Sequence, residues 1–263
     1  MAQIADIELV KRLVVEAGKR ALARSGTELA EVKADRTLVT AVDRDTERFL
    51  AEELERAYPD FAFLGEEYGR RGPDDAPLWV CDPIDGTTGY VFGLPIWCVS
   101  VGLIHHGVPL LGAIYLPRLD ELFWAVKGSG AFCGGIPLHA TDRAELRPED
   151  PLCVNTTALR SLDLRDLPGS LWRFGSIAAE IAYTARGNFF ATVGQREDIK
   201  DVAAALCIAF EAGCEFRYLS GPAVDIADFM ATSGDKSTLR DDYLIYAPPS
   251  LCAYLQRTLH RLA

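Results

Sequence analysis

Residues 78–88, LWVCDPIDGTT, run an apolar strand-like segment straight into two acids three positions apart, a combination that ordinary core sequence avoids. Leu78, Trp79, Val80 and Cys81 form the strand, which is expected to end at Asp82. Pro83 has no N–H to give a ladder and fixes its own backbone, so Asp82 and Asp85 are placed to converge. Gly86 then lets the chain turn into a short helix. Two carboxylates, with the Ile84 carbonyl between them, make an all-oxygen cluster suited to a hard cation such as Mg²⁺. The amides of Gly86 and Thr87, at a helix start, face a phosphate. A strand closing in an Asp-Pro turn with a helix cap accounts for the same residues without chemistry, so this stretch alone leaves both readings open.

The 263 residues suffice for one large domain or two modest ones. Ile7, Leu9, Val10, Leu13, Val14, Ala17 and Ala21 share one helical face over 5–24, a span that ends near Gly26. A second helix is expected from Asp43 to Ala57, with Phe49, Leu50 and Leu54 inward, Arg44, Glu47 and Arg48 outward, and a stop before Pro59. Apolar or alternating runs at 61–64, 78–81, 96–104, 109–116 and 121–127, punctuated by Gly, Pro and Asp, predict a largely antiparallel sheet. The polar connector TDRAELRPEDP follows, so a lobe boundary is placed at 141. Beyond it, a strand at 152–154, helices at 177–185 and 202–212, strands at 189–193 and 243–246, and a helix at 249–261 predict an α/β second lobe. The expected division is an α+β lobe over 1–141 that carries most of the acids, and an α/β lobe over 142–263 that contributes Asp201.

A formal charge of −11 argues against a nucleic-acid or anionic-membrane surface, since both need clustered Lys and Arg. No apolar run has membrane-spanning length, and the opening MAQIADIELVKR lacks the order of a secretory signal, so a cytoplasmic protein is expected. The seven cysteines include no C-x-x-C pair and stand in apolar company, as reduced core residues do. The adjacent His105 and His106, and the isolated His139 and His260, do not form a chelating set.

Three further acidic sites favour the chemical reading of Asp82 and Asp85. Glu66 and Glu67 end the apolar run Phe63-Leu64-Gly65, Asp43 stands at a helix start after VTAV, and Asp201 opens the Ala-rich DVAAALCIAFEAG. Each alone is a common cap or solvated end; together they are the inventory of a site in which more than one divalent ion activates a water and steadies a leaving oxygen. The ordered set KADRTLVTAVD, GEE, DPIDGT, GSGAF and KDVAAALCIAFEAG resembles the inositol monophosphatase family of Mg²⁺-dependent, lithium-sensitive phosphatases, over about residues 30–220. The resemblance implies that Glu66, Asp82, Asp85, Asp201 and the Ile84 carbonyl bind metal. It also implies that Gly86 and Thr87 hold the substrate phosphate, that Thr87 pairs with Asp43 to help Glu66 activate water, and that Lys33 lies near the site. The implied fold is a layered α-β-α-β-α sandwich of the sugar-phosphatase type with two lobes, in a homodimer.

The activity so implied is hydrolysis of a small polyol or sugar monophosphate. Fructose 1,6-bisphosphate and histidinol phosphate are alternative substrates, and a non-catalytic metal- or phosphosugar-binding relative is the alternative of another class. A haloacid-dehalogenase-type phosphatase, with a nucleophilic Asp, places its two acids two apart, whereas here they are three apart. Two residues depart from the family pattern. Counted without gaps back from Asp201, Gly194 stands where inositol-type members carry a glutamate that touches substrate hydroxyls, and Lys200 stands where the family has Trp. Glycine accepts no hydroxyl hydrogen bond, so weak selectivity for inositol 1-phosphate is expected. Lys200 either favours a second anionic group or points to solvent.

Overall fold

The computed structural model describes residues 5–26, 30–32, 38–195, 197–231 and 242–262. Its centre is an eight-stranded sheet. In spatial order the strands are Ile136–Pro137, Ala131–Cys133, Glu121–Val126, Val108–Leu116, Cys98–His105, Leu78–Asp85, Ala62–Gly65 and Gly69–Arg71. All neighbours pair antiparallel except Ala62–Gly65, which runs parallel to Leu78–Asp85. The run LWVC is apolar at every position because helices cover both faces. Trp79 and Cys81 pack with Val10, Leu13, Leu50 and Leu54 of the helices Ile7–Arg24 and Ala41–Ala57. Leu78 and Val80 alternate to the opposite side, against the helices Ile177–Ala185 and Ile199–Glu211.

The second sheet has five strands, in the order Ser170–Trp172, Pro151–Val154, Ala191–Gln195, Tyr243–Ala247 and Glu215–Tyr218. Cys153, Phe216, Leu244 and Tyr246 join the apolar cluster around the two central helices. Leu152, Val154, Val193 and Ile245 face the other way, onto Ala158 of helix Thr156–Ser161 and onto Leu251 and Leu255 of helix Pro249–Thr258. Helix pair, sheet, helix pair, sheet and helix pair make the expected α-β-α-β-α sandwich.

The middle layer explains the alanines of DVAAALCIAFEAG. A Cβ on Gly102 would lie 2.8 Å from the backbone carbon of Ala203, and one on Gly112 would lie 2.9 Å from that of Ala204. Helix and sheet thus meet backbone to backbone, which only Gly facing Ala allows. Gly112→Val is expected to lower stability by about 3 kcal/mol through overpacking, read from the urea midpoint. A loss below about 0.5 kcal/mol, the range of an ordinary surface change, would show that the helix retreats freely.

Three expectations are corrected. The strand does not stop at Asp82: it continues to Asp85 past an irregularity in its pairing with Cys98–His105, so both acids and Pro83 lie within it. The helix expected from Asp43 begins at Ala41, capped by Thr40, and Glu47 is not outward but fully buried. The closing helix ends at Thr258, and His260–Arg261 pairs instead with Leu162–Asp163. All seven cysteines are free and six are buried. Among the described residues no helix is long and apolar enough to cross a membrane.

Candidate active site

A cavity of about 290 Å³ is lined by Leu38, Glu66, Asp82, Ile84, Asp85, Gly86, Thr87, Thr88, Gly175 and Asp201. Every residue assigned to metal or phosphate from the sequence, apart from Lys33, is on that wall. Lys33 lies outside the described residues. The strand Leu78–Asp85 supplies Asp82, Ile84 and Asp85, and Gly86 supplies a left-handed turn (φ 91°) into helix Thr87–Val91. Glu66 follows the neighbouring parallel strand, and Asp201 comes from the helix between the sheets.

Asp43 and Asp201 both occupy the third position of a helix and close a reciprocal capping box. Asp43 Oδ2 accepts from the Thr40 amide at 2.8 Å and from its hydroxyl at 2.6 Å. Asp201 Oδ2 accepts from the Asp198 amide at 2.8 Å. In each, capping holds one oxygen and leaves the other for the site, so the cap reading and the chemical reading describe the same residue. Asp85 Oδ2 is held by the Ser176 hydroxyl at 2.6 Å and the Ala178 amide at 2.7 Å, and Asp82 Oδ1 by the Ile84 amide at 3.0 Å. The Thr87 hydroxyl donates to the Ile84 carbonyl at 3.0 Å, while Asp43 Oδ1 stands 3.5 Å away at the limit of a useful bond.

Glu47, Ser176, Asn155, Glu180 and Glu197 were not singled out in the sequence. The Glu47 carboxylate accepts from the amides of Glu67 and Tyr68 at 2.7 and 2.9 Å, and so fixes the turn that carries Glu66. Gly65 leaves the space for it, since a Cβ there would collide with that carboxylate. Glu180 accepts from the amides of Phe174 and Gly175 at 2.7 and 3.0 Å. Lys200 is paired with the cap residue Asp198 at 3.0 Å and lines neither this cavity nor the one beside it.

Burial pushes the acids upward: Asp43 and Asp85 to about 6, Glu180 to about 7 and Asp201 to about 8. Asp82 is raised well above its usual range, first by burial and then by the charges of Glu66, Asp85 and Asp201. Among the described residues no Lys, Arg or His lines the cavity to offset them. Crowded oxygen donors without a basic partner fit a hard cation. Among the described residues no three acids, cysteines or histidines close on a point by themselves. The acids instead ring a cavity with room for water and phosphate oxygens, which Mg²⁺ commonly keeps among its ligands.

The sequence from residue 3 to 259 matches the model of the inositol monophosphatase family. The chain belongs to that family. It is 34% identical over 247 residues to "Inositol monophosphatase 1" of Solanum lycopersicum, covering 86% of this chain and 90% of that one. It is 31% identical over 214 residues to "Fructose-1,6-bisphosphatase/inositol-1-monophosphatase" of Aquifex aeolicus, covering 76% and 79%. The crystal structure of extragenic suppressor protein suhB from Bartonella henselae superposes with a TM-score of 0.83 at 26% identity, over 95% of this chain and 96% of that one. By family the chain is a phosphoric monoester hydrolase.

Proposed function

We propose that the chain hydrolyses a small polyol or sugar monophosphate with Mg²⁺ held by Glu66, Asp82, Asp85, Asp201 and the Ile84 carbonyl. The observation that carries the proposal is the gathering of these five residues with Gly86 and Thr87 on one cavity wall. Bound Mg²⁺ supplies Lewis-acid charge, which stabilises phosphoryl oxygens and makes a water more acidic. The remaining work falls to the chain itself. Gly86, in its left-handed turn, brings backbone amides to the phosphate oxygens. Thr87 orients the attacking water by its hydroxyl, with Asp43 behind it to take up a proton near neutral pH. Glu66, fixed by the turn that Glu47 holds, is the second acceptor.

No nucleophilic Asp is invoked, so no phospho-enzyme forms. Lithium sensitivity, a cytoplasmic location and a homodimer belong to the same proposal. The free cysteines suit the location, and exposed Leu171 and Trp172 on an edge strand suit the dimer. The test is phosphate release over a panel of phosphomonoesters. Turnover is expected with Mg²⁺, is expected to be lost in EDTA and to fall with millimolar lithium at constant Mg²⁺. Release undiminished by EDTA would sink the metal mechanism, whereas insensitivity to lithium alone would leave it standing.

A further inference from the structure

Gly194 lacks the side chain that the resemblance led one to expect against the substrate, and the structure places another carboxylate in the space left open. Glu197 lies three residues further on, past the end of strand Ala191–Gln195, and folds back over the glycine. A Cβ on Gly194 would collide with Glu197 Oε1 and approach its Cδ to 3.2 Å. Glu197 is buried, at 8% exposure.

A fixed partner holds this carboxyl in place. Asn155 Nδ2 donates to Glu197 Oε1 at 2.5 Å and to the Gln195 carbonyl at 3.1 Å, while its Oδ1 accepts from the Ala158 amide at 2.9 Å as the cap of helix Thr156–Ser161. Every hydrogen-bonding group of the Asn155 amide that reaches toward Glu197 is therefore committed. Glu197 Oε2 has no donor among the described residues.

Glu197 and Asn155 line a second cavity of about 460 Å³, within the range of small-molecule sites. It shares Asp85, Gly175 and Asp201 with the metal-and-phosphate cavity, so the two are one continuous space. A phosphate seated at Gly86 and Thr87 would direct its alcohol portion into this second chamber. Glu180 also lines it, and Arg173, an exposed side chain, is its one basic lining residue among the described residues.

Resting on the phosphatase reading above, we propose that Glu197, held by Asn155, reads the hydroxyls of the leaving alcohol and makes a neutral polyol monophosphate the preferred substrate class. A hydroxyl both donates and accepts, so it pairs with the carboxyl in either protonation state. A second phosphate in this chamber would face the carboxylates of Glu180 and Glu197, so bisphosphates are disfavoured. The weak selectivity expected from Gly194 is thereby replaced: the carboxylate is supplied from a different position.

The test compares inositol 1-phosphate with p-nitrophenyl phosphate, whose leaving group has no further hydroxyl, in the full chain with Mg²⁺. Glu197→Ala is expected to lower kcat/KM for inositol 1-phosphate by about 10- to 100-fold and to leave p-nitrophenyl phosphate within about threefold. Glu197→Gln, which keeps an acceptor and adds a donor, is expected to recover most of the loss. Gly194→Val retains the carboxylate but displaces it, and is expected to repeat the selective loss even if Glu197→Ala fails to fold. Equal losses on both substrates, or no loss on either, would overturn the assignment. A wild-type chain that hydrolyses p-nitrophenyl phosphate but prefers fructose 1,6-bisphosphate to inositol 1-phosphate would overturn it while sparing the phosphatase reading. Hydrolysis of no phosphomonoester would overturn both.

Discussion

Asp85→Asn is expected to lower the rate of phosphate release by about 10²-fold or more, the order seen when one charge-stabilising element is removed from an active site. The change removes a formal charge from the proposed ion site at almost constant volume. Asn can still accept from the Ser176 hydroxyl and the Ala178 amide, the two bonds that tie this residue to the start of helix Ile177–Ala185. Fold and thermal midpoint should therefore survive while turnover does not, and raising Mg²⁺ should restore only part of the rate. A variant with near-wild-type turnover would mean that the ion sits elsewhere.

Stripped of divalent ions, the chain is expected to be less stable at pH 8 than at pH 5. Asp43 and Asp85 are raised from 3.8 to about 6, Glu180 from 4.5 to about 7 and Asp201 from 3.8 to about 8, in each case chiefly by burial. A group raised in this way takes a proton more readily in the folded state than in the unfolded one. Its contribution is complete below about pH 4 and is lost as pH rises through 6 to 8. The thermal midpoint in EDTA should fall by about 5–10 °C between pH 5 and pH 8. Mg²⁺ should reverse the fall at pH 8 and do less at pH 5, where protons already neutralise the acids. A midpoint in EDTA that is flat from pH 5 to 8 would show that the acids are better solvated than their burial implies.

What could be read from the sequence follows the range of the interactions involved. The strand into DPIDGT, the turn at Gly86 and the helices at 7–24 and 199–211 are set by neighbours within a few residues, and their signals are local. The acids at 66, 82, 85 and 201 were legible for a related reason: each stands at or near an element end, where a carboxylate is conspicuous against apolar sequence. Glu47 shows where this fails. Helical periodicity puts it among Arg44 and Arg48, and it is buried because its partners are two backbone amides 20 and 21 residues away, in a turn that helical periodicity does not describe. Pro83 misled in the opposite sense. Proline removes one donor from a ladder, and the strand tolerates it by shifting register between Asp82 and Asp85. Glu197 escaped notice because gap-free counting assigns a role to a sequence position, whereas a side chain three residues on occupies the same space once position 194 is glycine.

The backbone contact of the central helix with Gly102 and Gly112 acts as a gauge block. Asp201 rides on that helix, and Asp82 and Asp85 ride on the sheet beneath it. The gap between the two sets of acids is therefore machined by van der Waals contact between main chains, with no intervening side chain to be swapped for a longer or shorter one. Past strand Ala191–Gln195 the contact is of another kind, since the space over Gly194 is filled by the Glu197 side chain. On the proposed reading, exchanges at 194 and 197 would re-cut the chamber for a different alcohol while the separation of the acids stays as it is, and a designer wishing to retarget the enzyme would begin there and leave the two glycines alone.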